Sequence, residues 1–468
     1  MFESLEIESN VLWKILIVFV IVLFSVLYAI QNHYYGYWKR RGIVSPPVIP
    51  FFGSFFHLSK PLAIFLVENY QKYGKIHGIY QGLRPRLVVA DPNIIKRIMV
   101  QDFNIFRNRG DTRNQDRIGR KNLVRARDND WKRIRSILSP MFTTSKLKKM
   151  ESSIFGCVDS FMNAIEKKSD HRQPIMIRSI TGNFTMDVIA KCAFATDTNA
   201  HSDKENQFVR NAKNIFQLNL IEIIIRFMAP KFLFNFLSKE EIQQENELFK
   251  DVIGSKYLSE EEIVAQSVVF FLAGYETTAT TMAFCCYELA MNQDIQQKLF
   301  DEIQSVLDDG KSLNYSSVMT LPYLDAVLSE TLRKYPPALA LGREAAEDYY
   351  IKEYDITVEK NNDVMIPVYA IHHDPEYYPD PERYDPERFM PENRHKLVPY
   401  TYLPFGGGPR NCIGMRFALT EAKLGIANLI KSFRLVRIPE TSAPLKITKS
   451  FILLTTEPIH IGIEKRAA

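Results

Sequence analysis

From Ile15 to Ile30 the chain is apolar without a break apart from Ser25, and Val11 to Trp13 extend the run across Lys14. That is about the 20 residues a helix needs to cross a bilayer, and Lys14 can snorkel toward one end. Lys75 to Ala90 instead alternates and carries Gly78 and Gly82, which predicts a two-stranded hairpin ending at the Asp91-Pro92 turn. Beyond it the apolar spacing turns helical over Asp128 to Leu138, Ser152 to Lys167 and Ile180 to Phe194. Ser259-Glu260-Glu261-Glu262 is a capping box that opens a helix to about Asn292. This last helix is apolar nearly all round, so it is expected to run through the centre of the fold. The pattern predicts a mainly α protein with a small β region behind one N-terminal transmembrane helix.

Charge gives that helix a direction. Glu3, Glu6 and Glu8 precede the run and Lys39, Arg40 and Arg41 come after it, so the positive-inside rule places the chain beyond residue 40 in the cytosol. A cleaved signal peptide would instead carry its basic residues first and a small-residue cleavage site after the run. The chain divides into an anchor (1–31), a basic, Pro-rich hinge (32–53) and one unit (54–468), since no linker, low-complexity tract or repeat interrupts it after about residue 50. The hinge, Ser45-Pro46-Pro47 through Pro50 and Phe51-Phe52-Gly53, reads as a stiff connection that holds the unit at a fixed pose on the membrane.

Composition narrows the function. A net charge of +5, with Lys and Arg interspersed among Asp and Glu, leaves no basic stripe for nucleic acid. The five cysteines, Cys157, Cys192, Cys285, Cys286 and Cys412, are an odd set without CxxC spacing. Neither a disulfide framework nor a structural zinc site is indicated.

The chemistry concentrates in Phe405-Gly406-Gly407-Gly408-Pro409-Arg410-Asn411-Cys412-Ile413-Gly414. Its glycines allow a tight turn that aims amide donors at the Cys412 sulfur, and the N-terminus of a helix over Met415 to Phe433 adds to the stabilisation of a thiolate. A phosphate loop is excluded, because no GK[ST] comes after the glycines. The segment fills every fixed place of FxxGxRxCxG and so resembles the haem-thiolate signature of the cytochrome P-450 monooxygenases. That resemblance implies haem b with Cys412 as the iron ligand, Phe405 shielding the sulfur, Gly408 and Gly414 framing the loop, and Arg410 on a haem propionate.

Other landmarks come in family order over nearly the whole chain. Ala273-Gly274-Tyr275-Glu276-Thr277-Thr278 resembles the oxygen-activation segment. There Ala273 and Gly274 would thin the helix and open its ladder to make room for O2, Thr277 would hold a water or the distal oxygen, and Glu276 would relay protons. In a buried helix the same Thr can simply back-bond to its own turn. Glu330 and Arg333, joined by Arg388 of Pro386-Glu387-Arg388-Phe389, resemble the family's structural Glu-Arg-Arg network. Trp131 and Arg135, spaced WxxxR, resemble its propionate contacts, and Arg343 is placed like a third.

The wording around these motifs resembles the microsomal animal branch that metabolises xenobiotics. It implies an endoplasmic-reticulum enzyme that inserts one atom of O2 into a lipophilic small molecule. NADPH-cytochrome P-450 reductase supplies the electrons in that reading, with cytochrome b5 as a second partner and Lys132, Arg133, Arg416 and Lys423 as a docking face. Phe103 to Leu123, Phe208 to Leu237 and Ala338 to Leu341 would line the pocket. One departure is the short junction at Ser255-Lys256, where this branch has a few dozen more residues beside the pocket roof. A real deletion there would favour a truncated, silent haem-binding or misfolded product. A reductase-independent, peroxide-rearranging isomerase is the other alternative, against which the retained Glu276 and Thr277 argue.

Overall fold

The computed structural model describes residues 2–49, 52–54, 60–110, 117–169, 174–198, 200–201, 257–308, 310, 312–450 and 453–466. The Ser255-Lys256 junction and the Phe208 to Leu237 stretch lie outside these residues, as does 111–116 within the Phe103 to Leu123 segment.

The unbroken apolar run lies in helix α1 (Phe2–Tyr35). Its Trp13–Tyr35 part spans 23 residues, and the most apolar window within it, with a mean hydropathy of 2.6, has no residue buried against the rest of the protein. At about 1.5 Å per residue that part is ~34 Å long, which matches a hydrocarbon layer of about 30 Å. A four-residue helix, α2 (Tyr37–Arg40), begins just past Gly36.

The alternating stretch forms the expected hairpin. Strand β1 (Ile76–Gln81) pairs antiparallel with β2 (Arg84–Val89), from Ile76 opposite Val89 to Gln81 opposite Arg84. Gly82, at φ +59°, takes the left-handed conformation the turn needs. The helix-period segments become α3 (Asp128–Leu138), α4 (Glu151–Ser169) and α5 (Ile177–Phe194). The central helix is α6 (Glu260–Met291), capped by Ser259 with Glu262 closing the box. After it come α7 (Pro322–Lys334), β3 (Leu341–Glu344), β4 (Asp363–Ile366), α8 (Met415–Ser432), β5 (Phe433–Val436) and β6 (His460–Lys465).

Strand β4 joins the hairpin parallel to β2 and pairs antiparallel with β3, giving the order β1-β2-β4-β3. Strand β6 sits between Ile175–Met176 and β5 in a second sheet. Segment 105–108 runs along the free edge of β3: Glu344 donates its N–H to the Asn108 carbonyl (2.9 Å), and Ala346 donates to Ile105 (2.8 Å).

Helix α6 explains its own composition. It is long and apolar enough to cross a membrane, yet half of its most apolar window is buried, and every residue from Thr278 to Ala290 is inside the protein between α5, α7 and α8. Two threonines of α5 tie it sideways. Thr181 Oγ1 donates to the Ala279 carbonyl at 3.0 Å and Thr185 Oγ1 to the Tyr275 carbonyl at 3.1 Å. On the other flank Gly425 of α8 lies where a Cβ would come 2.5 Å from Met282 and 3.1 Å from Phe184.

Thr181→Val and Thr185→Val keep side-chain volume and lose one interhelical hydrogen bond each, so each is expected to cost about 1 kcal/mol. The check is a shift of the urea unfolding midpoint at unchanged slope.

Candidate active site

The Cys412 loop is shaped by two glycines. Gly406 (φ +71°) and Gly408 (φ +69°) are left-handed, whereas Gly407 is extended. A Cβ on Gly408 would lie 1.9 Å from the Met99 carbonyl oxygen, so only glycine lets the loop pack on the helix Arg97–Gln101. Cys412 closes the loop by donating its N–H to the Phe405 carbonyl at 2.9 Å.

The backbone N–H groups of Gly414 and Met415, at the start of α8, point to the sulfur, in line with the helix start expected to aid it. A Cβ on Gly414 would meet Phe142 only at 3.8 Å, so what that residue supplies is its N–H. The surrounding protein atoms hold the Cys412 thiol above its ordinary value even though its surface is open. The two N–H groups and the guanidiniums of Arg109 and Arg135 offset part of that rise.

Three arginines converge beside this loop. The register of β3 against β4 positions Arg343, and segment 105–110 along the β3 edge brings in Arg109, whose Nη2 donates to the Arg410 carbonyl at 2.7 Å. The Arg410 guanidinium lies 4.7 Å over the Trp131 ring and donates to the Ala126 carbonyl. Trp131 is thus a shelf for Arg410. Burial and mutual repulsion pull Arg343 and Arg410 down to about 9.

Among the described residues none of Arg109, Arg343 and Arg410 has a carboxylate partner, and Arg343 Nε and Arg410 Nε and Nη1 are buried without a hydrogen-bond acceptor. Such crowding demands an anion. Arg135 is placed otherwise, because its Nη1 and Nη2 donate to the carbonyl and Oδ1 of Asn411 at 2.8 and 2.9 Å and brace the residue before the cysteine.

Helix α6 approaches the loop through a shared apolar cluster. Phe270 and Ile413 both pack on Trp131, Ile134 and their neighbours. Ala273 is exposed in mid-helix, whereas Gly274 faces α5, where a Cβ would lie 2.9 Å from Ile189. Gly274 therefore serves helix packing, and α6 remains unbroken α-helix through this point. Thr277 Oγ1 donates to the Ala273 carbonyl at 2.6 Å, the back-bonded state. Glu276 is ion-paired with Arg178 of α5.

A buried ion pair holds the approach to the loop. Arg333 donates from Nε and Nη2 to the two oxygens of Glu330 at 2.7 and 2.8 Å, with both side chains fully buried. Arg388 Nε is 3.6 Å from Glu330, and its Nη2 also donates to the Pro379 carbonyl at 2.6 Å. His372, which no sequence motif announced, continues the chain. Its Nδ1 lies 2.9 Å from the Arg333 carbonyl and its Nε2 accepts the Leu403 N–H at 2.9 Å, so the proton sits on Nδ1. Arg109 also escaped sequence reading, because several arginines crowd 107–127 and nothing local distinguishes it.

The docking face needs correction. Arg133 is consumed by Glu262 and the Tyr257 carbonyl, and Lys423 by Asp325 at 2.7 Å, both largely inside the protein. Lys132 and Arg416 remain exposed, joined by Lys146, Lys148 and Lys149.

The family model for cytochrome P450 matches residues 44–254 and 230–463. The chain belongs to the cytochrome P-450 family. Among curated relatives it is 35% identical to cytochrome P-450 3A16 of Mus musculus over 507 aligned positions, covering 100% of this chain and 99% of that protein. It is likewise 35% identical to 3A7 of Homo sapiens, covering 97% and 96%, and to 3A29 of Sus scrofa, covering 98% and 97%. Membership makes this P-450 a haem-thiolate monooxygenase, an oxidoreductase that uses O2, a redox partner and a small-molecule substrate. The residues fit the group: a thiol aided by two backbone donors, beside three arginines whose unpaired nitrogens suit two carboxylates.

Glu330→Ala strands the Arg333 charge in the core and is expected to cost roughly 3–5 kcal/mol, read by thermal unfolding and haem content. Burial holds His372 and His373 down at about 3 and His77 at about 4. These folded values lie below the unfolded value near 6.5, so the unfolded chain binds more protons between them. The contribution of these histidines is expected to be level above about pH 7 and to fall on acidification toward pH 4, by up to about 1.4 kcal/mol per pH unit for each. Denaturant titrations across pH test this, and His373→Gln should reduce the slope relative to wild type.

Proposed function

We propose that Cys412 would ligate the haem iron and that Arg109, Arg343 and Arg410 would take the propionates, with Trp131 supporting Arg410 and Arg135 holding Asn411. The observation that carries this reading is the convergence of one aided thiol with three carboxylate-free arginines, Arg343 and Arg410 buried and Arg109 half-buried. Bound haem supplies the iron that accepts electrons and activates O2. The chain's residues bind and orient it, shield the sulfur at Phe405 and manage protons on the α6 side. With haem bound, Thr277 turned from the Ala273 carbonyl would hold a water or O2, and Glu276 released from Arg178 would pass protons to it. Ala273 leaves room on that face.

The substrate is a lipophilic small molecule of the xenobiotic type, a reading supported by the full-length likeness to 3A relatives. Electrons come from NADPH-cytochrome P-450 reductase, with cytochrome b5 as an additional partner. Exposed Lys132, Lys146, Lys148, Lys149 and Arg416 suit an acidic redox protein. Helix α1 anchors the enzyme in the endoplasmic-reticulum membrane as a single span, with the catalytic unit on the cytosolic side.

A second reading is a shortened, silent member. Two observations favour weighing it: the family match falls into two pieces, 44–254 and 230–463, and 507 aligned positions against 468 residues leave at least 39 without a counterpart here.

The carbon-monoxide difference spectrum of the dithionite-reduced protein in membranes decides between them. The expected result is a red-shifted Soret band that Cys412→Ser abolishes. A band at the unshifted position, or no haem, would favour the silent reading.

A further inference from the structure

The passage from membrane helix to catalytic unit contains no free joint. Helical hydrogen bonding runs through Gly36, whose N–H donates to the Asn32 carbonyl and whose carbonyl accepts from Arg40 N–H, both at 2.9 Å. Helices α1 and α2 are therefore tied across the single turn residue Gly36 by hydrogen bonds on both sides. At the end of this rod Trp38 is 2% exposed. Its indole N–H donates to the Ile79 carbonyl and its backbone N–H to the Tyr80 hydroxyl, both at 3.0 Å. The ring lies against the backbone of Gly78, where a Cβ would come 2.3 Å from it. Only glycine in β1 leaves room for that plug.

Two further ties point in other directions. The Tyr80 hydroxyl donates to the Tyr35 carbonyl at 2.7 Å, and the Tyr35 hydroxyl accepts the Gly53 N–H at 3.1 Å. On the far side the Tyr37 hydroxyl accepts from Asn362 at 2.6 Å, and Arg41 pairs with Glu359 while stacking 3.6 Å over Tyr37. The end of the rod is thus fastened at β1, at Gly53 and at the 359–362 turn before β4. Attachments at three separate points remove rotation as well as translation.

We infer that the Trp38 socket welds the membrane helix to the four-stranded sheet, so that the span itself sets the tilt of the catalytic unit on the lipid surface. This rests on the proposal that α1 anchors the protein. It adds that orientation is dictated by the buried joint.

The test uses the full-length, haem-loaded protein in phosphatidylcholine bilayers. Flotation with vesicles checks the anchor alone, and a chain that does not float would sink the anchoring reading. Polarised absorption of the Soret band in oriented bilayers then reads the haem tilt. Wild type is expected to show a strong, fixed dichroic ratio. A six-residue Gly/Ser insertion between Gln31 and Asn32 leaves every socket residue in place but breaks the rod, and should drop the ratio to the isotropic value while flotation and the carbon-monoxide band persist. Trp38→Ala, if it retains haem, should lower the ratio as well. An insertion variant that keeps the wild-type ratio would overturn the inference, because the lipid-facing surface of the catalytic unit would then set the tilt. Loss of haem from that variant would also overturn it, since a self-contained socket does not need the span to fold.

Discussion

Keeping an anion on sulfur inside a protein is the constraint around which this site is arranged. Burial alone favours the neutral thiol, and a neutral thiol is the poorer metal ligand. The opposing groups come from three parts of the chain: N–H donors at the start of α8, Arg135 from α3, and Arg109 from the segment along the β3 edge. Each must arrive within a short distance, which makes the sheet and the helices around it accessories to one sulfur. The left-handed Gly406 and Gly408 let the loop turn between them, and Gly408 lets it press on the Met99 carbonyl.

The Glu330–Arg333 pair acts one step further out. A buried ion pair is weak evidence of net stabilisation, since desolvation offsets much of the attraction. Its value here lies in what it connects. Arg333 reaches the His372 carbonyl at 2.9 Å, and His372 passes the register on to Leu403, three residues before Gly406. Protonating His372 would put a donor where the Leu403 N–H already points, so burial of a neutral ring and the position of the loop are one fact.

Much of the fold was legible in residue patterns. The hairpin alternation, the capping box at Ser259 and the helix-period segments carry their own local signals, and the structure matches them within a few residues. The cysteine loop was legible because five fixed positions lie within ten residues. What could not be read depends on which way a face turns or which distant strand lies alongside. Gly274 and Ala273 are neighbours on a helix with opposite tasks, and only the packing of Ile189 separates them. Arg133 and Lys423 look like surface charges until Glu262 and Asp325 claim them. Arg109 becomes distinctive only when β3 brings Arg343 beside it.

The proton role proposed for Glu276 and Thr277 has to coexist with a well-packed helix. Both groups are engaged: the carboxylate with Arg178, the hydroxyl with the Ala273 carbonyl. The Ala273 carbonyl already lies within the helical ladder of α6, so the hydroxyl bond is an extra worth about 1 kcal/mol or less, a released population on the order of a tenth. The Glu276 and Arg178 side chains are 15% and 32% exposed, so water reaches the pair and opening it costs more than for a surface pair but less than for a fully buried one. The buried Glu330–Arg333 pair, at 0% exposure, has no such exit. Position relative to water thus separates two Glu-Arg pairs of identical chemistry, one suited to hold a loop for the life of the protein and the other within reach of solvent.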